Sequence, residues 1–212
     1  MADDFTTPRS AHENADVRKA SGVEQADVQL GETMASNRHH PLVKAAGDAS
    51  KIGDQGPLYA ISAAVLIAGI GSKNRRLASS GFSMLAAVAV ADLAKSLTKR
   101  LVRRTRPHVF LDEGRYETDA GGSPRKPEQS FPSGHTAASV AAARALSRDY
   151  PGPGAAAGVA AVAIGISRIA KGAHWPLDVA GGAAVGLIAE ELSLQALRGL
   201  VAGAAALTKR SV

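Results

Sequence analysis

The sequence predicts an all-α protein: a helical bundle of about five membrane-spanning helices with a polar N-terminal tail. Three observations carry that expectation. Apolar stretches recur over 57–70, 80–97, 136–146, 155–169 and 177–207 with no apolar-polar alternation of period two, so they read as helices. Gly and Pro punctuate the gaps between them. Three short polar clusters each border one of these stretches, as site residues at helix ends would.

Residues 1–40 are polar, open with Asp3 and Asp4 and hold no apolar run of the signal-peptide kind, so they read as a disordered tail. Residues 41–56 read as a linker or a helix lying on a membrane surface. The functional domain is assigned to 57–208. Its first helix, Pro57 to Ile70, is apolar on every face. The second carries Asp92 and Lys95, expected either as a buried pair or as marks of a helix running past the membrane. The third is alanine-rich and contains Arg144, the fourth runs from Ala155 to Ile169, and the fifth begins at Leu177.

A spanning helix wants about 20 apolar residues. The first segment falls short and the second and third contain charges, so a soluble helical bundle is the competing reading. Parity favours the membrane. If the five segments cross alternately, the second ends, the third begins, the fourth ends and the fifth begins on one face, and all three polar clusters land there.

Composition removes other classes. The chain has 212 residues and no cysteine, which excludes disulfides, thiolate metal sites and thiol redox chemistry. The formal charge of +6 raises nucleic acid as a partner, but the basic residues crowd into 73–76 and 99–106 beside apolar segments, without interleaved stacking aromatics. No nucleic acid is therefore expected. Oligomeric state is not read from the sequence.

The first cluster is Lys99-x6-Arg106-Pro107. A continuing helix would put Lys99 and Arg106 on one stripe, with Arg103 as an auxiliary cation and Arg100 and Arg104 solvated. The second is Pro132-Ser133-Gly134-His135, where Ser133 reads as an N-cap and the N–H groups of the first turn suit an anion. The third is Ser167-Arg168-x5-His174-x3-Asp178. Pro176 suits the first helical position, which leaves His174 just outside the helix and Asp178 in its first turn, able to reach back and fix the imidazole tautomer. Three cations, two histidines and a carboxylate suit metal-free phosphoryl transfer. No metal and no cofactor are expected, because no carboxylate cluster with metal-ligand spacing occurs. The segment 108–130, long and polar, reads as a substrate lid or a flexible connector.

Together these residues resemble the signature of the type 2 phosphatidic acid phosphatase superfamily, the family of lipid phosphate phosphatases and vanadium haloperoxidases. Lys99, Arg106 and Pro107, then Ser133, Gly134 and His135, then Arg168, His174 and Asp178 match its defining positions. The resemblance implies a membrane phosphatase acting on a lipid phosphate, either phosphatidate-like or a polyprenyl phosphate or pyrophosphate. It implies His174 as a nucleophile forming a phosphohistidine, Asp178 as its orienting carboxylate and His135 as general acid. Lys99, Arg106, Ser133, Gly134 and Arg168 would bind phosphate. Membrane members commonly have six spans, so the first is here missing or replaced by the segment near 41–52. The alternatives are a soluble-type acid phosphatase, a vanadium haloperoxidase, and a catalytically silent lipid-binding membrane protein. Basic residues on the non-catalytic face (Lys73, Arg75, Arg76, Arg148, Lys209, Arg210) place that face in the cytoplasm, hence the site outside the cell membrane.

Overall fold

A computed structural model describes residues 10–11 and 14–210, with the side chains of 204–205 and 207–210 set aside. Among the described residues the order is α1 (Ala15–Lys19), α2 (Gly22–Ala35), α3 (Pro41–Ala49), α4 (Gln55–Gly71), α5 (Arg75–Leu101), β1 (Val102–Arg104), α6 (Pro107–Glu113), β2 (Thr118–Ala120), α7 (Gly134–Asp149), α8 (Pro151–Ala170) and α9 (Pro176–Arg210). Local chemistry sets the starts. The Asn74 side chain accepts from Leu77 N ahead of α5, Ser133 accepts from Thr136 N ahead of α7, and proline opens α3, α6, α8 and α9.

Helices α4, α5, α7, α8 and α9 form the bundle. The alanine-rich α7 is its centre and packs on α5, α8 and α9. Its weak hydropathy follows from that position. Ala138, Ala141, Ala142 and Ala145 face Met84, Val88 and Ala189 in the main core, and small side chains let neighbouring backbones come close. Large apolar side chains point outward instead. Ile67, Ile70, Leu93, Val159, Val162 and Ile188 are each more than half exposed, on four different helices. Helices α5 and α8 are long and apolar enough to cross a membrane, and α4 is a shorter apolar helix. An apolar girdle of this kind suits hydrocarbon better than water.

The three polar clusters lie at one end of the bundle, as parity required. The N-terminal half departs from expectation. Residues 14–40 are folded helices docked on that same end; positions 1–9 and 12–13 of the expected disordered tail lie outside the described residues. Val17 and Val28 join Phe110, Tyr116 and Trp175 in a second core, whose three rings meet edge to face at centroid distances near 6 Å. Gly31 sits against Trp175, where an added Cβ would come within 2.4 Å of the indole. Asn14 Nδ2 donates to the Gly114 carbonyl at 2.7 Å, and Arg38 pairs with Asp112 at 2.6 Å. Few apolar anchors suffice because the surface they meet is aromatic and preformed. The segment at 41–52 is likewise built, as α3 followed by a 3₁₀ turn, with Gly47 against the Lys171 side chain.

Two further expectations are corrected. Helix α5 does not continue to Arg106. It ends at Leu101, where Val102 turns extended and β1 pairs antiparallel with β2, Arg103 opposite Asp119. The segment 108–130 is neither open lid nor loose connector, since it contains α6, β2 and a 3₁₀ turn at Lys126–Glu128. Glu128, buried, gathers Arg115, Arg125 and Ser123.

Gly31→Val is expected to lower the thermal midpoint of the detergent-solubilised protein by the equivalent of about 1–3 kcal/mol, because the added methyls meet Trp175. An unchanged midpoint would show that α2 is not docked there.

Candidate active site

The ends of α5, α7, α8 and α9 surround a cavity of about 320 Å³ lined by Lys95, Lys99, Arg106, Lys126, Gly134, His135, Arg168 and His174, with Gly53–Gln55 on its rim. Six of the eight expected site residues line it directly, and the other two, Ser133 and Asp178, sit behind its wall. Ser133 is fully buried and caps α7, taking Thr136 Oγ1 at 3.0 Å. Asp178 is fully buried beneath His174.

Lys99 and Arg106 are aimed by the backbone. Lys99 Nζ donates to the Gln129 carbonyl at 3.1 Å. Arg106 is the N-cap residue of α6 and is held by the carbonyls of Lys126 at 2.9 Å and Ala173 at 3.2 Å. Burial and the neighbouring Arg168 lower its pKa from the usual arginine value, so an anion there meets a poorly compensated cation. Arg168 Nε is buried without a protein partner among the described residues, and so is His135 Nε2. The Asp54 Oδ1 comes within 2.6 Å of that His135 nitrogen without forming an aligned hydrogen bond. Lys95 pairs with Asp92 at 2.5 Å, a pair that is only half-buried, and its side chain lies over Gly134, where a Cβ would come within 2.6 Å of it.

His174 departs in detail from expectation. Its Nδ1 lies 2.8 Å from the Ser130 carbonyl oxygen and 3.7 Å from Asp178 Oδ2. A carbonyl oxygen only accepts, so Nδ1 carries the proton and Nε2 keeps its lone pair. Ser130 therefore fixes the tautomer. Asp178 instead orders what surrounds it, accepting from Trp175 N at 2.8 Å, from Ser130 Oγ, and from Arg104 Nη1 at 2.8 Å. Ser133 N also donates to the Asp178 carbonyl at 2.9 Å, which ties α7 to α9. Burial pushes the His174 pKa down to about 4, helped by Arg106 and Lys99 and opposed by Asp178. The imidazole is neutral at neutral pH.

Arg104, expected as a solvated residue, is the largest correction. It is only 5% exposed, and its guanidinium joins Asp178 to Asp27 of α2, the latter at 2.6 Å, beneath the Trp175 ring. Burial alone would lower its pKa, but the two carboxylates outweigh that and raise it. Asp27 also accepts from Leu177 N at 2.7 Å. Neither residue stood out in the sequence, where Arg104 is one of four arginines within 100–106 and Asp27 lies in a polar stretch.

A helical bundle with a cationic, histidine-bearing pocket at one end has the chemistry to hold a phosphate group. The model of the PAP2 superfamily matches residues 80–199, more than half the chain and all three clusters, so the chain belongs to the PAP2 superfamily. A lipid A 1-phosphatase of Rhizobium johnstonii is 35% identical over 99 residues, covering 47% of this chain and 40% of that protein. A non-specific acid phosphatase of Salmonella typhi is 35% identical over 95 residues, covering 45% and 38%. The chain spans less than half the length of these curated relatives. Among solved structures, Aquifex aeolicus LpxE superposes with a TM-score of 0.55 at 23% identity, covering 79% of this chain and 94% of that one. The transmembrane PAP2-type phosphatidylglycerolphosphate phosphatase of Bacillus subtilis superposes with a TM-score of 0.59 at 23% identity, covering 89% and 92%. These two share the fold.

The His174 shift predicts a pH dependence. The unfolded chain takes up a proton near the ordinary 6.5 and the folded one only near 4. The stability this group contributes is therefore full above pH 6.5 and lost as pH falls through that window. Thermal midpoints from pH 7 to pH 4 should fall less steeply for His174→Gln than for wild type. Parallel slopes would contradict a buried neutral imidazole.

Proposed function

We propose that the chain is a metal-independent membrane phosphatase that removes the terminal phosphate of a lipid phosphate, phosphatidate-like or a polyprenyl phosphate or pyrophosphate. The observation that carries this is His174: neutral, tautomer fixed through Nδ1, and lining a cavity with Lys99, Arg106 and Arg168. Nε2 attacks phosphorus as the bond to the lipid oxygen breaks, and His135, having taken up a proton from solvent beside the bound phosphate dianion, gives it to that oxygen. Water then attacks the phosphohistidine, His135 now taking its proton, and inorganic phosphate leaves. Lys99, Arg106, Arg168 and the N–H groups of Gly134 and His135 opening α7 stabilise the charge on the equatorial oxygens, while Ser133, whose own N–H is taken by the Asp178 carbonyl, acts by capping that helix. No cofactor enters the reaction, since the chain itself supplies the cations. The apolar girdle and the two long apolar helices support a bilayer setting and a lipid substrate, with no nucleic acid partner.

The likeness to the acid phosphatase favours a second reading, hydrolysis of soluble monoesters by the same cage. A panel of lipid and soluble phosphates assayed with purified protein in detergent separates the two. His174→Ala should abolish phosphate release on every substrate, and retention of a tenth of wild-type turnover would remove it as nucleophile. His135→Ala should be nearly inactive on alkyl phosphates and much less impaired on nitrophenyl phosphate, whose leaving group needs no proton. Equal loss on both would make His135 structural.

We further infer that the site faces outward from the cell membrane. The orientation rests on Lys73, Arg75, Arg76 and Arg148 at the opposite face, counted against Arg100, Arg103 and Arg104 at the catalytic one. With five crossings the C-terminus lies opposite the site. A C-terminal reporter active only in the cytoplasm should therefore be active, and signal from an exported reporter at that position would reverse the orientation.

A further inference from the structure

The residue that ties the N-terminal segment to the chemistry is Asp27. It belongs to α2, outside all three polar clusters, yet it is buried and both carboxylate oxygens are used. Oδ2 takes Arg104 Nη2 at 2.6 Å, and Oδ1 takes the backbone N–H of Leu177 at 2.7 Å. Leu177 is the second residue of α9, so its N–H is one of the four that a helix start leaves without an internal partner. Asp27 thus caps α9 from another part of the chain, one residue before Asp178. Through Arg104 it also reaches the Asp178 side chain, since the guanidinium spans both carboxylates.

We propose that Asp27 is a positioning residue for phosphoryl transfer: it holds Arg104 and the start of α9 so that Asp178, Ser130 and the His174 imidazole keep their attacking geometry. This rests on the phosphatase reading above. Each link is on the page. Asp27 fixes Arg104, Arg104 fixes Asp178, Asp178 takes the Ser130 hydroxyl, and the Ser130 carbonyl takes His174 Nδ1. Asp27 touches neither the cavity nor a reacting atom. Its loss should therefore misplace the nucleophile without emptying the phosphate site of cations, which changes turnover and not substrate affinity. On this account residues 14–35 are part of the catalytic apparatus and not an appendage.

The test compares wild type, Asp27→Asn, Arg104→Met and the double variant in detergent, reading kcat and KM for phosphate release together with inhibition by inorganic phosphate, and vanadate inhibition of wild type. Asp27→Asn keeps an acceptor for Leu177 N–H and removes only the charge. It should lower kcat roughly ten- to hundredfold, with KM and inhibition by inorganic phosphate within about twofold of wild type. In the Arg104→Met background Asp27→Asn should add no further loss, because the cation it orients is gone. Should the Asn variant be lost on extraction, Asp27→Ser carries the same expectation. Unchanged kcat, equal falls in kcat and affinity for inorganic phosphate, or fully additive losses would each overturn the inference while leaving the phosphatase reading intact. Wild type that neither releases phosphate nor responds to vanadate would instead sink that reading, and the inference with it.

Discussion

The Arg104 guanidinium governs the catalytic end of this protein. A buried cation costs several kcal/mol in desolvation unless carboxylates and hydrogen bonds meet it. Here Asp178 and Asp27 do so, with the Tyr116 hydroxyl at 3.2 Å and the Trp175 face above. Meeting that requirement brings three distant stretches together: α2, the strand after α5, and the start of α9. The order of the site follows. With Asp178 committed to Arg104, Ser130 and Trp175 N, the loop 171–175 has one arrangement, and His174 sits in it with a single tautomer.

The rest of the bundle serves this end by being thin-walled and close. Alanine on α7 lets α5, α8 and α9 approach until their polar ends share one cavity, while the bulky apolar residues face outward. This inverts the usual distribution in water, and it explains why the central helix looks weakly hydrophobic in sequence. The opposite end carries its own ionic closure. Arg148 is held by Glu190 and Glu191, and Ser80 donates to Asp149 at 2.6 Å, which ties α5, α7 and α9 where they are furthest from the site.

Much of this was legible in the sequence, and what was not failed for physical reasons. Helix starts were readable because Ser133 and Pro176 act locally. The gathering of His135, Arg168 and His174 followed from parity alone. The N-terminal helices were missed because Val17, Val28 and Gly31 are too sparse to show a periodicity; their partner surface, Phe110, Tyr116 and Trp175, lies a hundred or so residues on. Arg104 was missed because a run of arginines near a helix end resembles a solvated face, and only the β1–β2 pairing turns one of its members inward. The tautomer-fixing contact expected from Asp178 is made by the Ser130 carbonyl instead, a distinction of about one ångström that spacing along a chain does not encode.

The central claim is that this frame exists to present His174 Nε2 to phosphorus. Its most direct test is to quench turnover of a ³²P-labelled lipid phosphate with alkali and map the label. The account predicts an acid-labile, alkali-stable phosphoryl group on the peptide carrying His174, absent when His174→Gln is used. Turnover at full rate with no labelled histidine, or with the label on another residue, would contradict it.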